Sequence, residues 1–341
     1  MYPDGSMETE AAGQEQQPAP PAAAPRRPAR RQIRARLVFN ASSGRPEESA
    51  QQLADILVEM QRHEILPEVF TVLPDSRVGT VVQNAIRQGS MLVVVAGGDG
   101  TVDAVAGAMV GSSATLAIIP TGTRNNLALS LGIPSGIPEA AALLRQGRRL
   151  KIDVGQVQVG KASRWFMEAA TLGLLSDLYP LADQIQHGQL AQIGELLSAF
   201  VSATPSILKL VIDGRAQAGC TAHMVLISNM PYLGPNFQVT PGVSFQDGRL
   251  DVFIYSDMGK LDLISYVMQS GNGGANDDRI KHYRVRQVTI ESDPPMAVLA
   301  DGDPLGQSRV TALIRPRALN VMAGPASAAT PATGPEVPPG D

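Results

Sequence analysis

The sequence predicts an α/β nucleotide-binding domain with a parallel sheet, followed by a mainly β, sandwich-like second domain. Up to about residue 150, short apolar runs alternate with helix-like amphipathic segments, which is typical of a parallel sheet covered by helices. Beyond residue 151 the pattern changes to short β-like runs separated by Gly, Asp and Pro turns, which favours a β-sandwich. A chain of 341 residues is also long enough for two domains.

The elements of the first domain follow one another closely. The run RLVFN, which ends at Asn40, predicts the first strand. After it the patterns predict a helix over 48–63, a strand over 67–73, a helix over 77–89, a strand over 91–97, a helix over 101–111, and a strand, turn and helix over 115–134. This alternation places successive parallel strands beside one another, with helices on the faces of the sheet.

The second domain is predicted from its short strands. These lie at 151–159, 164–173, 206–214, 223–229 and 250–256, with one mainly helical interruption around 177–203. We therefore place the first domain at 34–150 and the second at 151–322, with a last strand that can return to the first domain. The Pro- and Ala-rich ends, 1–33 and 323–341, have too little apolar surface to order themselves and are predicted to be disordered tails.

Composition argues against several classes of protein. The formal net charge is only −4, which does not favour a nucleic-acid partner. The single cysteine, Cys220, fits a reducing compartment, as a small buried residue or as a reactive thiol. The four histidines are scattered, no apolar run reaches the ~18 residues of a membrane span, and the first residues lack the apolar core of a signal peptide. We expect a soluble cytoplasmic protein, and no pattern specifies its oligomeric state.

An arginine-rich stretch precedes the first strand. Six arginines lie between Arg26 and Arg36. They can form a solvated linker, or they can attract an anionic membrane surface at ~1 kcal/mol per basic residue. The second interpretation predicts transient peripheral contact with the inner face of the membrane, and the sequence leaves both open.

Three polar turns follow strands of the first domain: NASSG (40–44), GGDGT (97–101) and PTGTRNN (120–126). Ligands of parallel sheets collect at the carboxyl ends of strands. Glycines there let the backbone approach a phosphate, and a carboxylate such as Asp99 beside phosphates suits a metal or a substrate hydroxyl. A plain strand-to-helix connection capped by Asp99 is the alternative. The stretch matches neither the dinucleotide fingerprint nor a P-loop.

These turns, in this order and spacing, resemble the diacylglycerol kinase catalytic-domain family, which includes bacterial lipid kinases, sphingosine kinases and ceramide kinases. The resemblance continues through KIDVGQV, FMEAATLGLLSDL, DGRLDVFIY and LADGDP, and so extends over roughly residues 34–320. The motifs are specific in combination. GGDG by itself is shared with NAD kinases and phosphofructokinases, so it would indicate only the wider superfamily.

The resemblance implies an ATP-dependent kinase with Mg²⁺, in which a lipid hydroxyl accepts the γ-phosphoryl group. Asp303 stands at the position of the family's general base, Asp99 would face the phosphates as a second catalytic group, and Asp247 matches a structural Mg²⁺ position. The residues expected around ATP are Asn40, Ser43, Gly44, Thr71, Gly97, Gly98, Asp99, Gly100, Thr101, Val102, Asp103, Thr123 and Asn125. Segments 172–185 and 193–201 would line the pocket for the lipid tail. The same apolar spacing is equally typical of helices that only form the core.

The chain departs from the family pattern at three places. The usual Asn-Glu pair after the glycine turn is Asp103-Ala104, the usual Asp after Asn125 is Asn126, and the usual glutamate of the DGE triplet is Asp303. Each change removes or shortens a carboxylate. An active, divergent lipid kinase is the preferred reading, and a weakly active nucleotide- or lipid-binding member and a NAD kinase-like enzyme are the alternatives.

Overall fold

The computed structural model of the chain describes residues 32–43, 46–177, 198, 204–231, 243–256, 258–259, 262 and 278–325. Most of both predicted tails, Gly44, and most of the helical segment expected around 177–203 lie outside the described residues. The same holds for much of the two segments predicted to receive the lipid tail.

The N-terminal half is built on parallel strands, as the alternating pattern predicts. β1 pairs with β2 on one side and with β3 on the other, and β3 pairs with β4, all in parallel register. β3 and β4 are buried along their whole lengths, as expected for strands covered on both faces. The strands are β1 (Ile33–Asn40), β2 (Ile65–Val72), β3 (Leu92–Gly97) and β4 (Thr115–Pro120).

Helices connect these strands and bury one face each. In α3 the buried residues Val102, Val105, Ala106 and Met109 recur at helical spacing, so one face packs on the sheet. The helices are α1 (Ser49–Arg62), α2 (Val78–Arg87), α3 (Asp99–Met109), α4 (Asn126–Ser130) and α5 (Ile137–Gln146). The α5 helix was not predicted from the sequence, although a proline in its first turn and the helical spacing of Ala140, Ala141 and Leu144, which are buried, are helix signals.

The C-terminal half is β-rich and mainly antiparallel. β10 pairs with β7, β8 and β11, and β14 pairs with β7 and β15. The strands are β5 (Arg148–Val159), β6 (Ala162–Phe166), β7 (Ala169–Gly173), β8 (Ser206–Ile212), β9 (Arg215–Ala216), β10 (Cys220–Ser228), β11 (Leu250–Ser256), β12 (Ile280–Val285), β13 (Gln287–Asp293), β14 (Ala297–Ala300), β15 (Asp303–Gln307) and β16 (Val310–Ala323). This architecture confirms the predicted fold class.

The long strand β16 pairs with both halves of the chain. It runs antiparallel to β5 and β13 and joins β4 in parallel through Asn320 and Val321. A bulge between Arg315 and Leu319 bends it. The buried carboxylate of Asp153 holds this bulge by accepting a hydrogen bond from the Arg317 N–H at 2.7 Å. The predicted domain boundary at residues 150–151 falls inside β5 and stays a prediction.

Candidate active site

The three polar turns lie beside one another at the carboxyl edge of the parallel sheet. They follow β1, β3 and β4, which are adjacent strands. The Asn40 side chain donates a hydrogen bond to Thr101 Oγ1 at 2.7 Å. The Gly98 N–H donates to Ser43 Oγ at 3.0 Å. The first turn is therefore hydrogen-bonded to the glycine turn, as the order of parallel strands predicts.

Asp99 connects the glycine turn to the third turn. Its two carboxylate oxygens accept the N–H groups of Asn125 at 3.1 Å and Asn126 at 2.9 Å. Asn125 has a left-handed backbone, with φ of 53°, and it turns the chain into α4. Burial raises the pKa of Asp99, while these two hydrogen bonds and the nearby Arg124 oppose the rise. Asp99 thus carries charge at the site and also fixes the geometry of the third turn.

Glycine is needed where the second and third turns approach one another. A Cβ on Gly122 would lie 2.4 Å from the Cα of Gly98 and 3.2 Å from its nitrogen. Only glycine allows such a contact between backbones. The close contact places the third turn beside the glycine turn and the N-terminus of α3, and a glycine turn that leads into a helix binds phosphate in many nucleotide enzymes.

A group of buried acids lies next to these turns. The Asn126 side-chain amide donates to Glu168 Oε2 at 2.9 Å. Burial raises the pKa of Asp103 and of Glu168 well above the ordinary values. Charge repulsion by Asp301 and Asp99 raises both pKa values further. Glu168 also raises the pKa of Asp103. These acids therefore share one electrostatic environment in which full ionisation is unfavourable.

Asp301 fixes the backbone beside Glu168. Its carboxylate accepts three consecutive N–H groups, from Met167 at 2.6 Å and from Glu168 and Ala169 at 3.0 Å each. Burial nevertheless raises the pKa of Asp301 to about 6, because desolvation outweighs the three hydrogen bonds. This cradle interrupts the β run expected over 164–173 and separates β6 from β7.

Asp303, the predicted general base, lies in a different environment. It begins β15, opposite Ala300 of β14, and its side chain is 52% exposed. Its carboxylate forms an ion pair with Arg164. Arg164 also lowers the pKa values of Asp103 and Asp301. Asp303 is therefore linked to the buried acids through a shared cation, and its catalytic role stays a prediction.

Asp247, the predicted magnesium ligand, has both carboxylate oxygens engaged. Oδ1 accepts the Arg249 N–H at 2.9 Å, and Oδ2 pairs with the Arg284 guanidinium. Within the described ranges, no three His, Cys, Asp or Glu side chains are grouped so that they could hold a metal ion. An oxygen-rich donor set suits Mg²⁺, whereas a carboxylate already paired with arginine does not. The side chains present at Asp247 do not fit a magnesium site, and the assignment stays a prediction.

The other residues predicted to bind ATP differ in their exposure to solvent. Thr71 and Thr123 are exposed, at the end of β2 and in the third turn. Val102 is buried in the core, so only its backbone can face a ligand. Gly97 packs against Thr101, and Gly100 has open space around its Cα.

Glu168 and Asp301 were missed by the sequence analysis, although both lie in motifs that carry the family resemblance. The available signal was an acid inside an apolar run, as in FMEAATLG. Such an acid has to be paired or functional if the run is buried.

Comparison with known proteins defines the family. A sequence model of the diacylglycerol kinase catalytic domain matches residues 34–157. A second model, the YegS C-terminal NAD kinase beta sandwich-like domain, matches residues 181–323, so the two matches cover more than half of the chain. The chain belongs to the diacylglycerol kinase catalytic-domain family. The resemblance noted from the turns and later motifs is thereby confirmed.

Individual members of this lipid kinase family are similar over most of the chain. The diacylglycerol kinase of Bacillus subtilis (strain 168) is 28% identical over 280 residues, which is 79% of this chain and 89% of that protein. The diacylglycerol kinase of Mycobacterium tuberculosis (strain ATCC 25618 / H37Rv) is 28% identical over 224 residues, or 64% of this chain and 72% of that protein. A crystal structure of a diacylglycerol kinase from Bacillus anthracis str. Sterne has a TM-score of 0.68 at 21% identity and covers 86% of this chain and 98% of that chain, which supports the fold. Among the described residues, no helix combines the length and apolar character needed to cross a bilayer.

Proposed function

We propose that this chain is an ATP-dependent lipid kinase that transfers the γ-phosphoryl group to a hydroxyl of diacylglycerol or a related lipid. The observation that carries the proposal is the position of Asp99, in a glycine turn at the carboxyl edge of the sheet and bonded to two N–H groups of the third turn. The matching family model describes a kinase catalytic domain, which supports phosphoryl transfer as the reaction. The relatives are named diacylglycerol kinases, which supports a lipid as the acceptor.

MgATP is the phosphoryl donor in this proposal, and its phosphates would lie on the glycine turn. The approach of Gly98 to Gly122 brings the two turns together at this edge, and the N-terminus of α3 would provide N–H groups and a favourable dipole. The magnesium ion that accompanies ATP offsets phosphate charge. Phosphoryl transfer depends mainly on positioning and electrostatic stabilisation, and hydrogen-bonded turns provide a rigid frame for both.

The acceptor hydroxyl would react at the side of the site where Asp303 lies. The hydroxyl oxygen forms a bond to the γ-phosphorus, the bond from that phosphorus to the bridging oxygen breaks, and ADP leaves with the electron pair. The proton passes from the hydroxyl to the Asp303 carboxylate. Asp303 suits this task because half of its side chain is exposed, and Arg164 holds it in place.

The test is a phosphorylation assay with labelled ATP and a panel of lipids dispersed in detergent. Diacylglycerol, monoacylglycerol, ceramide, a sphingoid base and NAD are offered separately. The expected product is a phosphorylated lipid in the wild type. In Asp99→Asn activity should fall below about a tenth of wild type, because the charge and one of two accepted hydrogen bonds are lost.

Two outcomes would contradict the proposal. Robust phosphorylation of NAD without lipid would indicate a NAD kinase-like enzyme. Measurable binding of ATP or lipid without any product would indicate a binding protein. Asp75→Asn, which changes an exposed aspartate, is the matched control and should keep wild-type activity.

A further inference from the structure

Asn126 links two acids of the site, one through its backbone and one through its side chain. Its backbone N–H donates to Asp99 Oδ1 at 2.9 Å, and its side-chain amide donates to Glu168 Oε2 at 2.9 Å. The orientation of this residue therefore depends on Asp99 and Glu168 together. Because Asn126 is the first residue of α4, a movement of Glu168 would move the third turn relative to Asp99.

The backbone of Glu168 is held from both sides. Its N–H donates to Asp301 Oδ1 at 3.0 Å, and its carbonyl oxygen accepts the N–H groups of Asn229 at 2.8 Å and Met230 at 3.3 Å. The Asn229 side chain also donates to the Met167 carbonyl at 2.8 Å. A residue fixed in this way is suited to position a neighbour, since its own backbone has little freedom to relax.

Three buried acceptor oxygens around this contact have no hydrogen-bond donor within the described part of the chain. They are Oε1 of Glu168, Oδ1 of Asn126 and Oδ1 of Asp103. An unpaired buried acceptor costs about 1–3 kcal/mol, and three of them lie together beside this contact with capacity to accept a hydrogen bond. The charged groups that act on Glu168 and Asp103 are Asp99, Asp301, Arg124 and Arg164.

We propose that Glu168 is a positioning residue of the transfer site, which holds the third turn against Asp99 through the side chain of Asn126. This inference rests on the proposed function and adds a residue to it. The contact pairs the amide donor of Asn126 with a carboxyl oxygen of Glu168 at 2.9 Å.

The inference is tested by reversing the pair. Three variants are compared with the wild type: Glu168→Gln, Asn126→Asp and the double variant Asn126→Asp/Glu168→Gln. Glu291→Gln, a half-exposed glutamate on β13 paired with Arg309, is the matched control and should behave as wild type. The measurements are kcat, KM for lipid, affinity for MgATP in the absence of lipid, and melting temperature.

Glu168→Gln should lower kcat about tenfold, because the glutamine oxygen can still accept from the Asn126 amide but holds it less firmly than a carboxyl group does. MgATP binding should weaken by up to about tenfold for the same reason. The KM for lipid and the melting temperature should change little. A kcat equal to that of the wild type in Glu168→Gln would overturn the inference.

Asn126→Asp places two carboxyl groups at hydrogen-bond distance, so they can remain together only while they share a proton. Its activity should therefore decline more steeply than that of the wild type as the pH rises through the neutral range. The double variant restores one carboxyl and one amide, and it should remove this additional pH dependence and exceed both single variants in activity. A residue that only fills space would give neither effect, and a double variant no better than the single ones would overturn the inference.

The MgATP measurement separates this inference from the proposed function. If the wild type phosphorylates no lipid, the proposed function fails, and the pair is then judged by MgATP affinity alone. Weaker binding in Glu168→Gln that recovers in the double variant would support the positioning role. Equal MgATP affinity in all four proteins would overturn it.

Discussion

Asp301 and Asp303 are two residues apart and occupy opposite environments. Asp301 and Gly302 both have positive φ angles, 45° and 84°, so the chain turns sharply between β14 and β15. The turn directs the Asp301 carboxylate onto three N–H groups in the interior, while Asp303 remains half exposed beside Arg164. One carboxylate therefore organises the fold, and the other is accessible to a substrate.

The two aspartates should respond differently to the same substitution. Asp303→Asn should lower the transfer rate at least about a hundredfold, within the usual contribution of a general base, and leave the melting temperature unchanged. Asp303→Glu should retain more activity than Asp303→Asn because it keeps a carboxylate. Asp301→Asn should lower the free energy of unfolding by about 2 kcal/mol or more, since an amide nitrogen cannot accept the N–H groups that the carboxylate accepts. The lipid assay measures the transfer rates, and urea unfolding curves measure the free energies of unfolding.

Near-wild-type rates in both Asp303 variants would mean that the proton acceptor is another group. An Asp301→Asn variant with unchanged stability would mean that the three hydrogen bonds contribute little to the fold.

Asp103 should make the stability of the fold depend on pH. Burial, and then repulsion by Asp301, Glu168 and Asp99, raises its pKa well above the ordinary value of 3.8. Below that value the folded and unfolded chains both hold the proton, so the group has no effect. As the pH rises, the unfolded chain releases its proton first, and the free energy of unfolding decreases. Asp103→Asn should therefore stabilise the nucleotide-free protein at pH 7.5 and have little effect near pH 4.

Urea unfolding of both proteins at the two pH values measures this difference. A variant whose stability relative to the wild type is the same at both values would show that Asp103 is not held in its protonated form. The control is Asp75→Asn, at an exposed position. Asp213→Asn would not serve, because Asp213 accepts two backbone N–H groups.

The contact between the second and third turns depends on glycine. In Gly122→Ala the new Cβ would lie 2.4 Å from the Cα of Gly98, so the turns must separate. We expect a loss of stability of about 1–3 kcal/mol, as for other overpacked positions, and MgATP binding at least about tenfold weaker. Gly79→Ala is the control, because its Cβ would meet Ala108 at an ordinary 3.7 Å and alanine favours a helix. Calorimetric titration with MgATP decides the outcome, and unchanged affinity in Gly122→Ala would contradict the proposed phosphate position.

Strands with a continuous apolar pattern were predicted well, α5 was missed despite its local helix signals, and features that depend on distant contacts were not predicted. β3 reads as a strand because six consecutive buried residues are apolar or glycine. The break between β6 and β7 has no local signal, since it depends on Asp301, more than a hundred residues away. Pro316 in β16 would ordinarily argue against a long strand, but the Asp153 carboxylate accommodates the bulge around it.

The same distinction applies to the candidate site. The three turns could be anticipated because each follows its own strand, and parallel strands bring their ends together. Glu168 could not be placed, because its partner Asn126 lies 42 residues earlier in the chain. A single sequence does not reveal such a pair.

The two halves of the chain are joined by hydrogen-bonded strands. β5 and β16 form a long antiparallel ladder that extends from the β-rich half into contact with β4. The carboxylate of Asp153 ties this ladder to Gly248, whose N–H it accepts at 2.6 Å. The carboxylates of Asp99 and Asp301, which come from different halves of the sequence, therefore act on the same buried acids because one continuous sheet supports them.

Association with a membrane would bring the whole molecule to its substrate. Removal of residues 1–32 deletes four arginines and keeps Arg34 and Arg36, the latter paired with Glu68 at 2.9 Å. We expect unchanged activity on lipid dispersed in detergent and reduced activity on anionic vesicles, at ~1 kcal/mol of attraction per arginine near the surface. The reduction should be largest at low salt, where screening is least.

A full-length variant with Arg26, Arg27, Arg30 and Arg31 replaced by glutamine separates charge from chain length and should reproduce the truncation. Activity on both substrates is measured at two salt concentrations, together with sedimentation of the protein with vesicles. Because electrostatic attraction acts only at a charged surface, equal losses on micelles and vesicles would show that the arginines support the folded enzyme instead. If the glutamine variant is as active as the wild type on anionic vesicles, the arginine-rich stretch is a solvated linker.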